Sequence, residues 1–371
     1  AKPGSWDNSF AVGSFTNASG LSLTHPITSL QSGMTYFVTW RATNAFIDIW
    51  TETKSFVAPW YTNSVKFTFC GYAGSETLTN VPALIVLSSD ILGFNYNQFS
   101  STKGDDLRFY SVPDGRELNY EIESWDTNDK STVWVQVPAL IDNTTCIKAT
   151  WGSPYTFRPI YTTNGATWSE GYEAVWHFHG NLNDSTRRHD GLAFGGPLLT
   201  NVPLVSGALQ FDGVDDFVRG AGTFNAFPNG VTFEGWAYTE SVANGAGFID
   251  LGVRLPNGAA GNSIFLARNA NTDQLRWRVS HTAGDATLDS SGARIRLNEW
   301  QHFVATAEGN TAPGAARAEL YENGALEDSR TNFNPPANLS RTNGFMAESN
   351  LDTDDFFHGK LAEVRISTVR R

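Results

Sequence analysis

The sequence predicts an all-β chain built from serial β-sandwich and jelly-roll modules. Glycine occurs 34 times among the 371 residues and aromatic side chains make up 13% of them, as expected for many short strands joined by tight turns. Methionine occurs only twice, and no long stretch carries apolar residues at helical spacing. Strand alternation appears instead. Tyr36, Val38, Trp40 and Ala42 alternate with Phe37, Thr39 and Arg41; Val133, Val135 and Val137 alternate with Trp134 and Gln136. Leu275, Trp277 and Val279 alternate with Arg276, Arg278 and Ser280, which gives one buried and one wet face.

The length fits two or three domains rather than one core. All lysines except Lys360 lie at or before Lys148, a shift that marks a boundary beyond that residue. Pro154 and Pro159 stand among turn residues and read as an extended linker, and Ala58-Pro59 punctuates the chain earlier. The resulting division is 1–58, 59–153, a linker at 154–169, and 170–371.

The formal charge is −12, with no stripe of Lys or Arg. Such a chain is a poor binder of nucleic acid and of anionic membranes. No apolar run approaches the roughly 18–20 residues of a membrane span. The chain opens on Ala1-Lys2-Pro3, without a charged and apolar leader, so any export signal is expected to have been removed or to lie outside this sequence. Cys70 and Cys146 are the only cysteines, which excludes a thiolate zinc site from this chain alone. They stand on the opening and closing strands of the middle module, and a disulfide between them is expected in an oxidising compartment. Asn17, Asn143, Asn183 and Asn338 begin N-x-S/T triplets that suit a secreted chain but arise often by chance.

Three resemblances follow from ordered motifs. Gly33-Met34-Thr35-Tyr36, Arg41-Ala42-Thr43-Asn44 and Ser55-Phe56 resemble the later strands of a fibronectin type III domain. That resemblance implies a scaffold, and one lacking its early strands, since such sandwiches need about 100 residues. The middle segment carries Phe69-Cys70-Gly71-Tyr72, Asp105-Asp106-Leu107-Arg108-Phe109, Leu118 to Asp126 and Trp151-Gly152. It resembles a bacterial domain family of unknown function whose members precede laminin-G-like modules and sometimes MotA/TolQ/ExbB-type channel domains. This implies a jelly-roll-like fold in an extracellular or periplasmic setting, with no activity attached. The last segment holds Val175-Trp176-His177-Phe178, Leu209-Gln210-Phe211-Asp212-Gly213, Phe233-Glu234-Gly235-Trp236-Ala237 and Gly359 to Ile366. It resembles the laminin-G-like (concanavalin-A-like) lectin family over about 200 residues. Asn323-Gly324 between strand-like runs is the preferred two-residue hairpin turn.

Four groups of residues invite a chemical reading. Glu121 and Glu123 share strand parity and point together, as paired carboxylates of glycosidases do. The glucanase pattern wants an acid four residues after the first, however, and Trp125 stands there. A charged strand face is the plainer reading. Asp184 and Asp212 lie on predicted loops with other oxygen donors, the chemistry calcium selects. In the lectin-like family the loop matching Asn181 to Gly191 often contributes to a structural calcium site; calcium is therefore expected here with Asp184 and Asp212 as its carboxylates, the alternative being an acidic turn satisfied by backbone N–H groups. Ser185-Thr186-Arg187-Arg188 departs from the small turn residues usual there, and Ala362-Glu363 departs from the usual acidic pair. Asp352, Asp354 and Asp355 lack EF-hand spacing and read as a solvated loop. His177 and His179 share parity and read as sandwich-face residues, with a metal pair as the alternative. No Gly-x-Ser-x-Gly, His-Glu-x-x-His or phosphate-cradling loop occurs.

The expected protein is therefore a non-enzymatic extracellular structural or adhesive surface protein, a possible filament subunit, with glycan or surface-protein binding by its lectin-like module. Segment 1–58, whose uncovered strand edges are templates for another chain, is expected to be completed by a neighbouring subunit, giving self-assembly, or by a missing upstream stretch. The alternatives are accessory binding domains of a secreted polysaccharide-degrading enzyme, or the ectodomain of a MotA/TolQ/ExbB-type membrane complex.

Overall fold

The computed structural model describes the chain apart from residues 1–5, 7, 17–22, 24, 26, 28–29, 31–33, 59, 203–206, 242–244, 258–259, 271, 282–283 and 293. Ala1, Lys2 and Pro3, Asn17 of the first triplet, Gly33 and Pro59 lie outside the described residues. The fold is all-β, as the alternation predicts, with only three short 3-10 turns among the described residues. No helix there is long and apolar enough to cross a membrane. The chain divides into two compact units: Ala1–Thr79, Leu87–Leu118 and Val137–Arg158 form one, and Asn80–Val86, Asn119–Gln136 and Pro159–Arg371 form the other.

In the first unit, Thr35–Val38 pairs with Lys54–Val57, and Arg41–Thr43 pairs with Asp48–Trp50. These ladders leave Phe37, Phe46 and Ile49 exposed, Phe46 to 93%. A three-stranded antiparallel sheet follows, in the order Asn63–Thr68, Cys146–Trp151, Arg108–Ser111. Its core is aromatic: Trp151 stacks on Phe99 at 5.5 Å and meets Phe94 edge-on at 5.1 Å. The buried Asp106 carboxylate accepts the backbone N–H groups of Ser100, Ser101 and Gly152. The expected Cys70–Cys146 disulfide is not formed, and both thiols are free. Register is the reason. Cys146 pairs with Thr68, while Cys70 lies two residues further on, in the turn closed by the Tyr72 N–H to the Phe69 carbonyl, and is exposed.

In the second unit, two antiparallel sheets enclose one large apolar core. The larger runs Leu198–Thr200, Ala208–Asp212, His358–Ser367, Gly230–Thr239, Trp300–Glu308, Ala316–Glu322, Ala325–Phe333, with Tyr172–Trp176 also paired to His358–Ser367. The smaller runs Gly191–Phe194, Phe217–Gly220, Asn343–Met346, Gly247–Arg254, Ala260–Arg268, Leu275–His281, Gly284–Asp289. Trp176, Phe211, Phe233, Phe248, Trp277 and Phe303 fill the space between them. The strand Tyr120–Ser124 pairs with Ser131–Leu140, so Glu121 stands opposite Trp134.

The division differs from the one expected at 154–169. Ile160–Thr162 and Ala166–Trp168 form 3-10 turns, and Thr167 and Trp168 are fully buried, so this stretch is packed structure rather than a linker. The hairpin spanning 119–136 clusters with the lectin-like sandwich and not with the rest of its predicted module.

Asp184, expected on a calcium loop, is fully buried. Its carboxylate accepts backbone N–H groups from Val175, Thr186, Arg188 and His189 at 2.8–3.0 Å, and the Thr186 hydroxyl besides. Donors converge on it from every side, which is the wrong environment for a cation. His189 completes the loop. Its Nδ1 faces the Ala221 carbonyl at 2.8 Å, its Nε2 faces Glu173 at 3.1 Å, and its ring stacks on Phe224 at 4.0 Å. Burial alone would push its pKa down, but the bonds to Glu173 and Ala221 raise it. Burial would likewise raise Glu173, but the bonds from His189 and Asn225 hold it below the usual range.

Replacing Asp184 with Ala strands four backbone N–H groups, those of Val175, Thr186 and His189 buried and that of Arg188 partly so, and should cost about 3–5 kcal/mol, read as a lowered melting temperature. The His189–Glu173 pair sets a pH window. A raised histidine stabilises fully below its ordinary 6.5 and loses that contribution as pH rises through its folded value. A lowered glutamate stabilises fully above its ordinary 4.5 and loses that contribution on further acidification. The melting difference between the wild type and His189→Gln should therefore be largest between about pH 4.5 and 6.5 and shrink on either side.

Candidate functional site

Two clusters stand out in the second unit, one buried and one exposed. The buried one is centred on Arg365. Its guanidinium lies over the Trp134 ring at 4.3 Å and the Trp168 ring at 5.3 Å, and reaches Glu363 at 2.8 Å and Glu234 at 3.2 Å. His177 Nδ1 is 2.8 and 2.9 Å from the two Glu363 oxygens and 3.9 Å from Glu123 Oε2. The imidazole stacks on Trp134 at 5.7 Å. Trp134 Nε1 donates to Glu123 at 2.8 Å, Trp168 Nε1 donates to Glu121 at 2.6 Å, and the Ser185 hydroxyl takes the other Glu121 oxygen.

A bulge explains how Glu363 and Arg365 come to share a face. Leu361, Val364 and Ile366 all enter the core, a spacing of three and then two. The ladder to Gly230–Thr239 shifts register between Glu234 and Trp236, and Glu363 takes a left-handed φ of 51°. The extra residue turns Glu363 outward beside Arg365. The strand Tyr120–Ser124 is also irregular, between Ile122 and Ser124, at Glu123.

The electrostatics follow from burial and contact. Burial raises the Glu123 carboxyl above its usual range, against the pull of His177. Burial disfavours charge on His177, but Glu363, Glu123 and Glu121 together raise its pKa. Burial also opposes ionisation of Glu363, and His177 and Arg365 overcome it. The parity argument that puts Glu121 and Glu123 together is correct in geometry. Their oxygens are spent on indole N–H groups and a hydroxyl, and the Glu123 side chain keeps only 3% exposure, so they do not flank a sugar as glycosidase carboxylates must. His179 does not join His177 in the cluster.

The exposed cluster lies at one edge of the smaller sheet. Phe194 stacks on Phe217 at 4.6 Å, Arg219 lies over Phe194 at 5.6 Å, and Phe217 also meets Phe345 and Phe356. Beside it, Asp212, Asp215 and Asp216 bring one carboxylate oxygen each within 4.8 Å of one another. Asp212 accepts the Val214 N–H at 2.8 Å, and such backbone bonds hold its pKa low. Gly195, at φ 78°, lets the turn after Phe194 close on this loop, since a Cβ there would sit 2.5 Å from the Asp215 carbonyl. Asp212 is thus on an acidic rim while Asp184 is a buried loop anchor, and the structure does not bring the two together. Asp352 pairs with Arg254 at 3.2 Å.

Two packed antiparallel sheets with an apolar interior define a lectin-like sandwich. Residues 212–370 match the family model of the Concanavalin A-like lectin/glucanases superfamily, and residues 103–170 match a Domain of unknown function (DUF2341). The chain therefore carries a concanavalin A-like domain in its C-terminal part and a domain of that uncharacterised family before it. No curated protein matches the chain. Among solved structures, it is similar to domain 4 of an extracellular arabinanase from Geobacillus stearothermophilus in complex with arabinotriose. The identity is 17%, over 53% of this chain and 92% of that one, with a TM-score of 0.37. It is also similar to the receptor binding domain of a botulinum neurotoxin C/D mosaic serotype (11% identity, 54% and 48% covered, TM-score 0.41). A third is the binding domain of Paraclostridial Mosquitocidal Protein 1 (14%, 54% and 49%, 0.41). The chain spans about half the length of these two toxin domains.

The buried cluster unites the two matched stretches. Glu121, Glu123, Trp134 and Trp168 fall within 103–170, and Glu234, Glu363 and Arg365 fall within 212–370. Replacing Arg365 with Met leaves the buried Glu363 with His177 alone and the half-buried Glu234 without its cation, and should cost about 3–5 kcal/mol. Chemical denaturation followed by tryptophan emission checks this, because Trp134 and Trp168 report the same site.

Proposed function

We propose that the chain is a non-enzymatic extracellular binding and structural protein whose concanavalin A-like domain takes a glycan on the rim formed by Phe194, Phe217, Arg219, Asp212 and Asp215. The observation that carries this reading is the aromatic stack beside exposed carboxylates. Phe194 keeps 40% of its surface in water, unusual for a phenylalanine that already has a ring partner. An apolar platform flanked by a few convergent polar groups is the general form of a small-ligand site. A sugar offers the matching chemistry, with C–H faces for the rings and hydroxyls for Asp212, Asp215 and Arg219. The absence of catalysis is supported by the state of Glu121 and Glu123, whose oxygens are already engaged. Screening against a broad glycan array, followed by calorimetry on the best ligand, tests the reading. Phe194→Ala and Asp215→Asn should each weaken binding by at least about tenfold, the loss of one good contact, with little change in melting. Failure to retain any glycan, or an unaffected Phe194→Ala, would overturn it.

A second reading, self-association through the first segment, rests on a different observation. Phe37, Phe46 and Ile49 stand exposed on two short ladders with open edges. Phe46→Asp combined with Ile49→Lys should reduce the mass seen by light scattering. An unchanged mass distribution counts against this contact.

A further inference from the structure

We propose that Glu123, His177 and Glu363 form a site for one divalent transition-metal ion, best matched by zinc, taken up in place of the proton on His177 Nδ1. One ligand atom from each residue lies within 4.8 Å of the other two. Zinc with ligands at about 2.0–2.1 Å spaces them roughly 3.3 Å apart in a tetrahedral shell. The observed separations of 2.8 Å from Nδ1 to Glu363 and 3.9 Å from Nδ1 to Glu123 bracket that value. Closing around an ion therefore needs only small side-chain shifts.

Charge points the same way. Glu121, Glu123, Glu234 and Glu363 gather around one guanidinium and one imidazole. Even with His177 protonated, four carboxylates face two cations, and an uncompensated buried charge is costly. A divalent ion on neutral His177 removes one unit of that surplus, and the displaced proton goes to solvent. The outer contacts are those a metal site needs: Trp134 Nε1 fixes Glu123 at 2.8 Å and Arg365 fixes Glu363 at 2.8 Å. The imidazole nitrogen sets the class of ion. Calcium and magnesium favour all-oxygen shells, whereas an imidazole with two carboxylates suits zinc or cobalt. This site is separate from the Asp212, Asp215, Asp216 rim, which offers oxygen alone.

The experiment uses the full chain, stripped with chelator and desalted. Titration with zinc chloride by calorimetry should show one equivalent bound and a raised melting temperature, with no response to calcium at this site. Cobalt(II) should develop the visible ligand-field absorption of a four-coordinate N/O shell. Glu123→Gln keeps an acceptor for Trp134 and should weaken zinc binding by at least about tenfold. Asp212→Asn with Asp215→Asn should leave it unchanged. A folded wild type that takes up no zinc and gives no cobalt band would overturn the proposal. So would undiminished affinity in Glu123→Gln, or affinity lost on changing the rim. If Glu123→Gln does not fold, the wild-type stoichiometry and cobalt spectrum decide alone.

Discussion

A guanidinium that cannot lose its proton lies against two indole rings in the second unit, and burying it obliges the chain to supply matching anions. Glu363 and Glu234 meet Arg365 directly, and Glu363 in turn meets His177, which meets Glu123. The tryptophans do two jobs. Their faces accept the cation, and their N–H groups satisfy Glu123 and Glu121. Removing any one member leaves another exposed to a low-dielectric surrounding without its partner. The set is therefore stable only as a whole.

This interdependence runs across the sequence. The hairpin Tyr120–Ser124 and Ser131–Leu140, the turn Ala166–Trp168 and the strands Tyr172–Trp176, Gly230–Thr239 and His358–Ser367 all deliver side chains to the cluster or to its border. Two stretches matched to different families thus share one charged interior. The concanavalin A-like sandwich has its own large apolar core, but on this side its outer surface is completed by residues that precede it in the chain.

Much of the fold is legible in the sequence because strand alternation reports burial directly. Leu275, Trp277 and Val279 are buried while Arg276 and Arg278 are half-buried, as their spacing predicts; Val133, Val135 and Val137 are buried too, but so are Trp134 and Gln136 between them, because that strand is covered on both faces. Parity alone brings Glu121 and Glu123 to the same cluster. What alternation cannot show is which polar residues on a half-buried face will meet, since that depends on chain segments far apart in sequence. Proline, threonine and asparagine make 154–169 look like a linker because they describe local backbone, and they say nothing of packing. Trp168 is the signal for packing in that stretch, a large side chain with little reason to stand in water. The cysteine pairing turns on register in the same way: Cys146 opposes Thr68, and Cys70 lies past the end of the strand, in the turn at Phe69 to Tyr72. The loop aspartates share a composition, but Asp184 is enclosed by N–H donors and Asp212 is not.

The bulge at Glu363 acts as a phase shift in the strand His358–Ser367. Residues before it and after it obey opposite parity rules, so the two halves of one strand are written in different frames. Were the same residues to form a strand without the bulge, alternation would run unbroken from Leu361 and everything downstream would rotate by half a turn. Arg365 would then aim into the apolar interior while Val364 and Ile366 faced the tryptophans. Shuffling of this domain into other chains is consequently constrained at one position far more tightly than its neighbours' chemistry suggests, because length, not identity, is what the strand must conserve at that point.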